Sequence, residues 1–177
     1  MLAGGPRVGQ HAFMPRRVHV QLTRGSRGVI IAAELRRVAR SVLDAEDVAT
    51  AVEVEVVLAD EAAVRDLNRL YRGRDEPADV LSFAAMEGEA FLSAPGEAPS
   101  LGEVVICLPL AQSQASAAAR PVTGELAHLL THGLLHLLGY DHEEDEAESA
   151  RMKAREDELL ASLGYAGQYE HGHQDAP

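Results

Sequence analysis

Residues 132–142 read H-G-L-L-H-L-L-G-Y-D-H and place His132, His136 and His142 at spacings of four and six. On a helix the first two lie one turn apart on one face, and Gly139 stands where that helix must stop and reverse. The reversed chain can return His142 to the same point in space. Three neutral imidazoles around one divalent ion leave a coordination position open for water or substrate, the pattern of a catalytic site rather than a structural one. The single cysteine, Cys107, excludes both an intrachain disulfide and a cysteine-rich structural zinc site. It sits in an apolar run and reads as a buried small hydrophobe. His128 continues the histidine row one turn earlier and reads as a neighbour of the site, while His11, His19, His171 and His173 read as solvated.

The spacing H-x-x-x-H-x-x-G-x-x-H is shared with the metzincin proteases, in which a glutamate directly after the first histidine is the general base. Here that position is Gly133. A peptidase mechanism therefore lacks its main acid–base group. Asp141, beside the third histidine, is a candidate to orient an imidazole or accept a proton, with a turn or cap role as the alternative.

The elements that position these groups follow from periodicity. Val18, Val20 and Leu22 alternate with polar residues as a first strand, and residues 29–44 carry the apolar spacing of an amphipathic helix. Val52, Val54 and Val56 alternate with Glu53 and Glu55 in a second strand, after which Asp60 caps a helix running to about Tyr71. V-L-S-F at residues 80–83 and G-E-V-V-I-C-L at 102–108 are the third and fourth strands, separated by a long loop at 86–100 that is expected to border the site. Pro109 and Pro121 each open a helix, the second carrying the histidines. Residues 143–163 form the last helix, with Gly164 as its stop. At 100° per residue, Leu126, Leu130, Leu134 and Leu137 share a stripe roughly 80° wide, opposed to His128, His132 and His136. One face is expected to pack and the other to line a cleft. Gly133, costly in a helix interior, implies close approach by another group.

A chain of 177 residues makes one domain, read as residues 17–166 between a disordered leader, 1–16, and a disordered tail, 167–177; Met14 is an alternative start. No apolar run is long enough to span a membrane and no secretory segment opens the chain, so a cytoplasmic protein without a membrane partner is expected. The net charge of −12 speaks against a nucleic-acid partner on average. Its distribution does not. Between Asp141 and Glu158 nine acids face three basic residues, half of the net charge, whereas residues 1–40 hold eight arginines against Glu34 alone. Arg65, Arg69, Arg72 and Arg74 form a second basic group.

H-G-L-L-H-L-L-G-Y-D-H, preceded by R-G-R-D-E-P-A-D-V-L-S-F and G-E-V-V-I-C, resembles the YbeY endoribonucleases and ribosomal-RNA maturation factors over about residues 50–165. The resemblance implies one zinc ion held by His132, His136 and His142, with Arg72 as the basic residue facing the metal cleft. It implies cleavage of single-stranded RNA, 16S ribosomal RNA 3′-end maturation and ribosome quality control, with ribosomal RNA and the ribosome or small-subunit proteins as partners and no DNA. Two departures stand out: Ala84 replaces the proline that usually follows L-S-F, and the arginine-rich leader lies outside the pattern. The fold expected is α+β, a small mixed four-stranded sheet packed with about five helices, the central one carrying the metal histidines. The alternatives are a metzincin-like metallopeptidase and a non-catalytic ribosome assembly factor with a structural metal.

Overall fold

The computed structural model describes residues 17–22, 29–48, 52–85, 98–140 and 145–165. The elements run β1 (Arg17–Leu22), α1 (Val29–Ala45), β2 (Glu53–Ala59), α2 (Glu61–Arg72), β3 (Val80–Ala84), β4 (Ser100–Cys107), α3 (Leu108–Ala117), α4 (Val122–Leu137) and α5 (Glu146–Ser162). The fold is α+β, with a mixed sheet of order β1-β2-β4-β3. β1, β2 and β4 are parallel, while β3 is antiparallel to β4 and flanks it.

Alternation along the strands divides the core in two. Val54, Val56 and Leu58 of β2 and Val104 and Ile106 of β4 are fully buried on one face, under α1, α4 and α5. Their neighbours Ala59, Val105 and Cys107 turn to the other face, where Val64 and Leu67 of α2 cover them. Cys107 is buried there, and burial pushes its thiol up. α4 is the central helix, lying against α1, α3, α5, β3 and β4. Leu126, Leu129, Leu130, Leu134 and Leu135 are each at most 1% exposed, so each contributes about 1.5–3 kcal/mol of burial.

Local chemistry sets the boundaries. Asp60 accepts the backbone N–H of Ala63 at 2.9 Å and starts α2, and Pro109 opens α3 in its first turn. Pro121 has the extended backbone of an N-cap for α4. Asp145 accepts from Glu148 N at 2.8 Å and starts α5 three residues later than the sequence pattern places it. Ala84, in place of proline, completes the β3 ladder opposite Gly102. The expected loop at 86–100 falls outside the described residues up to 97, as do the leader and residues 167–177 of the tail.

Candidate metal centre

α4 brings His132 and His136 together as their spacing requires. Their Nε2 atoms are 3.1 Å apart, with ring centroids 4.7 Å apart at 76°. Two ligands on a tetrahedral zinc at the usual Zn–N length would have nitrogens about 3.3 Å apart, so the pair fits two positions of such a site. Among the described residues no third side chain completes a metal cage. His142 and Asp141 lie outside the described residues.

The turn leading to them is defined. Gly139 has φ +89°, its N–H donates to His136 O at 3.0 Å, and Tyr140 N–H donates to Leu135 O at 3.0 Å, a Schellman closure. Tyr140 is then anchored twice. Its hydroxyl donates to Glu46 at 3.0 Å, and the Arg151 guanidinium stands 5.2 Å over its ring. Arg155 fastens the same corner, donating to Glu46 at 2.5 Å and to Ala45 O at 2.8 Å.

Gly133 is where α4 touches the sheet. A Cβ there would lie 2.6 Å from Val104 Cγ1 and 2.9 Å from Ser82 Oγ, and the Ser82 hydroxyl donates to Gly133 O at 3.1 Å. The close approach expected from the glycine is therefore contact with β3 and β4. The same contact opposes the peptidase reading, because a side chain at position 133 would point into packed strands and not toward the imidazoles.

The expectation that the histidine face is open along its length fails at its first turn, while His132 and His136 further along are part-buried. His128 is 6% exposed, enclosed by α5. Its Nδ1 is 3.7 Å from Glu125 and its Nε2 is 3.5 Å from Glu156. Burial disfavours its charge, but the two carboxylates outweigh that and push its pKa up to about 9. Glu125 is also paired with Arg120 at 3.1 Å, and Glu156 lies 3.4 Å from Nδ1 of His132. Burial raises the Glu156 pKa, yet the two histidines hold it well below the usual carboxylate range. Arg120, which is part-buried, and the buried Glu125, His128 and Glu156 thus alternate in sign along a row that ends on His132. The sequence reading passed over Arg120, Glu125 and Glu156. A signal for Glu156 was present: it occupies the spacing of Met152, Leu159, Leu160 and Leu163, the buried stripe of α5.

Arg72 is exposed at the end of α2. Its neighbour Tyr71 meets Phe83 of β3 at 5.0 Å, while Ser82 turns the other way to α4. α2 and the histidine helix therefore approach β3 from opposite faces. Much of the segment between Arg72 and β3 is architectural. Asp75 accepts two bonds from Arg65, at 2.9 and 3.1 Å. Asn68 donates to Glu76 O at 2.8 Å. Asp79 accepts from Val80 N at 2.8 Å and Gln114 at 3.1 Å. His19 is exposed on β1, as expected.

Residues 24–164 match the family model described as Endoribonuclease YbeY. The match begins well before residue 50 and takes in Arg24, Arg27, Arg36, Arg37 and Arg40 of the arginine-rich region. The chain is 39% identical over 150 residues to Endoribonuclease YbeY of Roseiflexus sp. (strain RS-1), covering 84% of this chain and 94% of that protein. It is 44% identical over 140 residues to Endoribonuclease YbeY of Moorella thermoacetica, covering 77% and 89%. Among solved structures, the solution structure of TM1509 from Thermotoga maritima shares the fold, with a TM-score of 0.53, 23% identity, and 89% and 98% of the two chains covered. With four-tenths identity across most of both chains, and the paired imidazoles on its central helix, this chain belongs to the endoribonuclease YbeY family.

Proposed function

We propose that this protein is a zinc-dependent endoribonuclease that cuts single-stranded RNA in 16S ribosomal RNA 3′-end maturation and ribosome quality control. In this reading it works in the cytoplasm with the ribosome or small-subunit proteins as partners. The observation that carries the reading is the pair of Nε2 atoms 3.1 Å apart at the end of α4, immediately before a glycine reversal that leads to a third histidine. His132, His136 and His142 would hold one zinc ion. Zinc, when bound, supplies Lewis-acid polarisation of a water molecule or a phosphate oxygen.

The remaining work belongs to side chains. Arg72, whose guanidinium fork matches phosphate geometry, holds the phosphodiester and offsets charge that grows on it in the transition state. Because α2 and α4 flank β3 from opposite faces, Arg72 serves the site around the edge of that strand, where an extended RNA strand would run. Asp141, next to the third ligand, is assigned to orient an imidazole or to accept a proton.

The test is cleavage of a single-stranded RNA oligonucleotide, the same sequence as a duplex, and casein, before and after chelation and with zinc restored. The expected result is cutting of the single strand alone, lost on chelation and regained with zinc. Cutting that survives in verified metal-free protein would contradict the metal assignment. A protein that binds zinc but cuts nothing would be a non-catalytic assembly factor, and casein cleavage would restore the peptidase reading.

A further inference from the structure

We infer that Glu156 is a positioning residue for the metal centre: from the neighbouring helix α5 it takes the Nδ1 side of His132 and turns the Nε2 side toward His136. The inference rests on the metal reading above for its consequence, but its geometry stands in the described residues. Glu156 Oε1 lies 3.4 Å from His132 Nδ1 and 3.5 Å from His128 Nε2. One carboxylate oxygen thus faces two imidazoles one helical turn apart. Its side chain is 4% exposed, in a helix whose other buried positions are Met152, Leu159 and Leu160.

An acid buried at an apolar position is costly unless it is paired. A leucine at position 156 would continue the apolar stripe of Met152, Leu159 and Leu160, so hydrophobic spacing does not explain the acid. What the carboxylate does is choose a tautomer. With Nδ1 of His132 facing that carboxylate, the proposed tautomer carries the ring proton there, which leaves the Nε2 lone pair directed at the Nε2 of His136, 3.1 Å away. That is the form in which an imidazole ligates a metal through Nε2, and carboxylate–histidine–metal arrangements recur at zinc sites for this reason. The row behind Glu156 supports it: His128, Glu125 and Arg120 follow at 3.5, 3.7 and 3.1 Å, each opposite in sign to the next when His128 is protonated. The charge of Glu156 is therefore matched without drawing it away from His132.

Two measurements on the full-length chain test the assignment. In metal-free protein, long-range ¹H–¹⁵N NMR of the imidazoles should find His132 protonated on Nδ1. Protonation on Nε2 would overturn the proposal, and this outcome can be read whether or not any variant folds. In Glu156→Gln, the zinc dissociation constant from chelator competition should rise by about 10–100-fold, the usual effect of removing such a partner. Thermal unfolding of the metal-free variant separates a packing role: a lowered Tm with unchanged zinc affinity would make Glu156 merely structural and refute the assignment. If the natural chain bound no zinc at all, the metal reading would fail, whereas the tautomer measurement would still decide what Glu156 does to His132.

Discussion

Gly133→Ala is the sharpest perturbation the fold offers, because helix propensity and packing oppose each other there. Alanine is better than glycine in a helix interior by about 1 kcal/mol. The added Cβ, however, falls 2.6 Å from Val104 Cγ1 and 2.9 Å from Ser82 Oγ, where carbon atoms prefer about 3.5–4.0 Å. Val104 is fully buried on β4, a strand paired on both sides. It cannot swing away, so α4 must lift off the sheet by about 1 Å. Overpacking of this kind costs about 1–3 kcal/mol, and two strands resisting at once place it near the upper end. The net loss is about 2 kcal/mol, which for a domain of this size lowers Tm by about 4–8 °C. Lifting α4 also stretches the 3.1 Å bond from Ser82 to Gly133 O. His132 and His136 ride on the same helix, so their mutual spacing survives while their place relative to β3 and β4 shifts. Calorimetry on the metal-free variant reads the first effect and zinc titration the second. A Tm equal to or above that of the natural chain would refute the close-contact reasoning, since only the propensity gain would remain.

Other outcomes follow from single contacts. Asp60→Ala removes the side-chain cap of α2 and should cost about 1 kcal/mol, or about 2–4 °C in Tm; no change would mean the cap is idle. Glu34→Gln probes the clasp between α1 and the end of α5. Arg37 and Tyr165 both bond that carboxylate, at 2.5 and 2.6 Å, and hold its pKa below the usual range against the upward push of burial. A depressed carboxyl stabilises the fold above its unfolded value, near pH 4.3, and loses that contribution as pH falls through the lower folded value. The Tm gap between the natural chain and Glu34→Gln should therefore be largest at neutral pH and close below about pH 4. A gap that widened on acidification would contradict the sign.

The strands and helices were legible because the periods of two and 3.6 are unusually clear, as in Val54, Val56 and Leu58 or the leucines of α4. Asp60 and Gly139 announced a start and a stop in their own residue types, and Gly133 signalled a close approach through its misfit in a helix. Partner identity was not legible. Nothing local says that Ser82 and Val104 would be the groups against Gly133, or that β3, third in sequence, would flank β4 antiparallel at the sheet's end. The row from Arg120 to Glu156 joins two helices, and pairing across such a distance is set by tertiary packing. Glu156 could have been found from its place among Met152, Leu159 and Leu160, where an acid interrupts an apolar stripe. His128 shows the limit of reading one helix alone, since its face looked like cleft until α5 closed over it.

The most direct measurement is elemental analysis of protein purified without added metal, for the natural chain and for His132→Ala and His136→Ala. One zinc ion per chain is expected in the natural protein, with none retained by either folded variant. Absence of zinc from the natural chain, or an equal content in His136→Ala, would contradict a metal centre built on the end of α4.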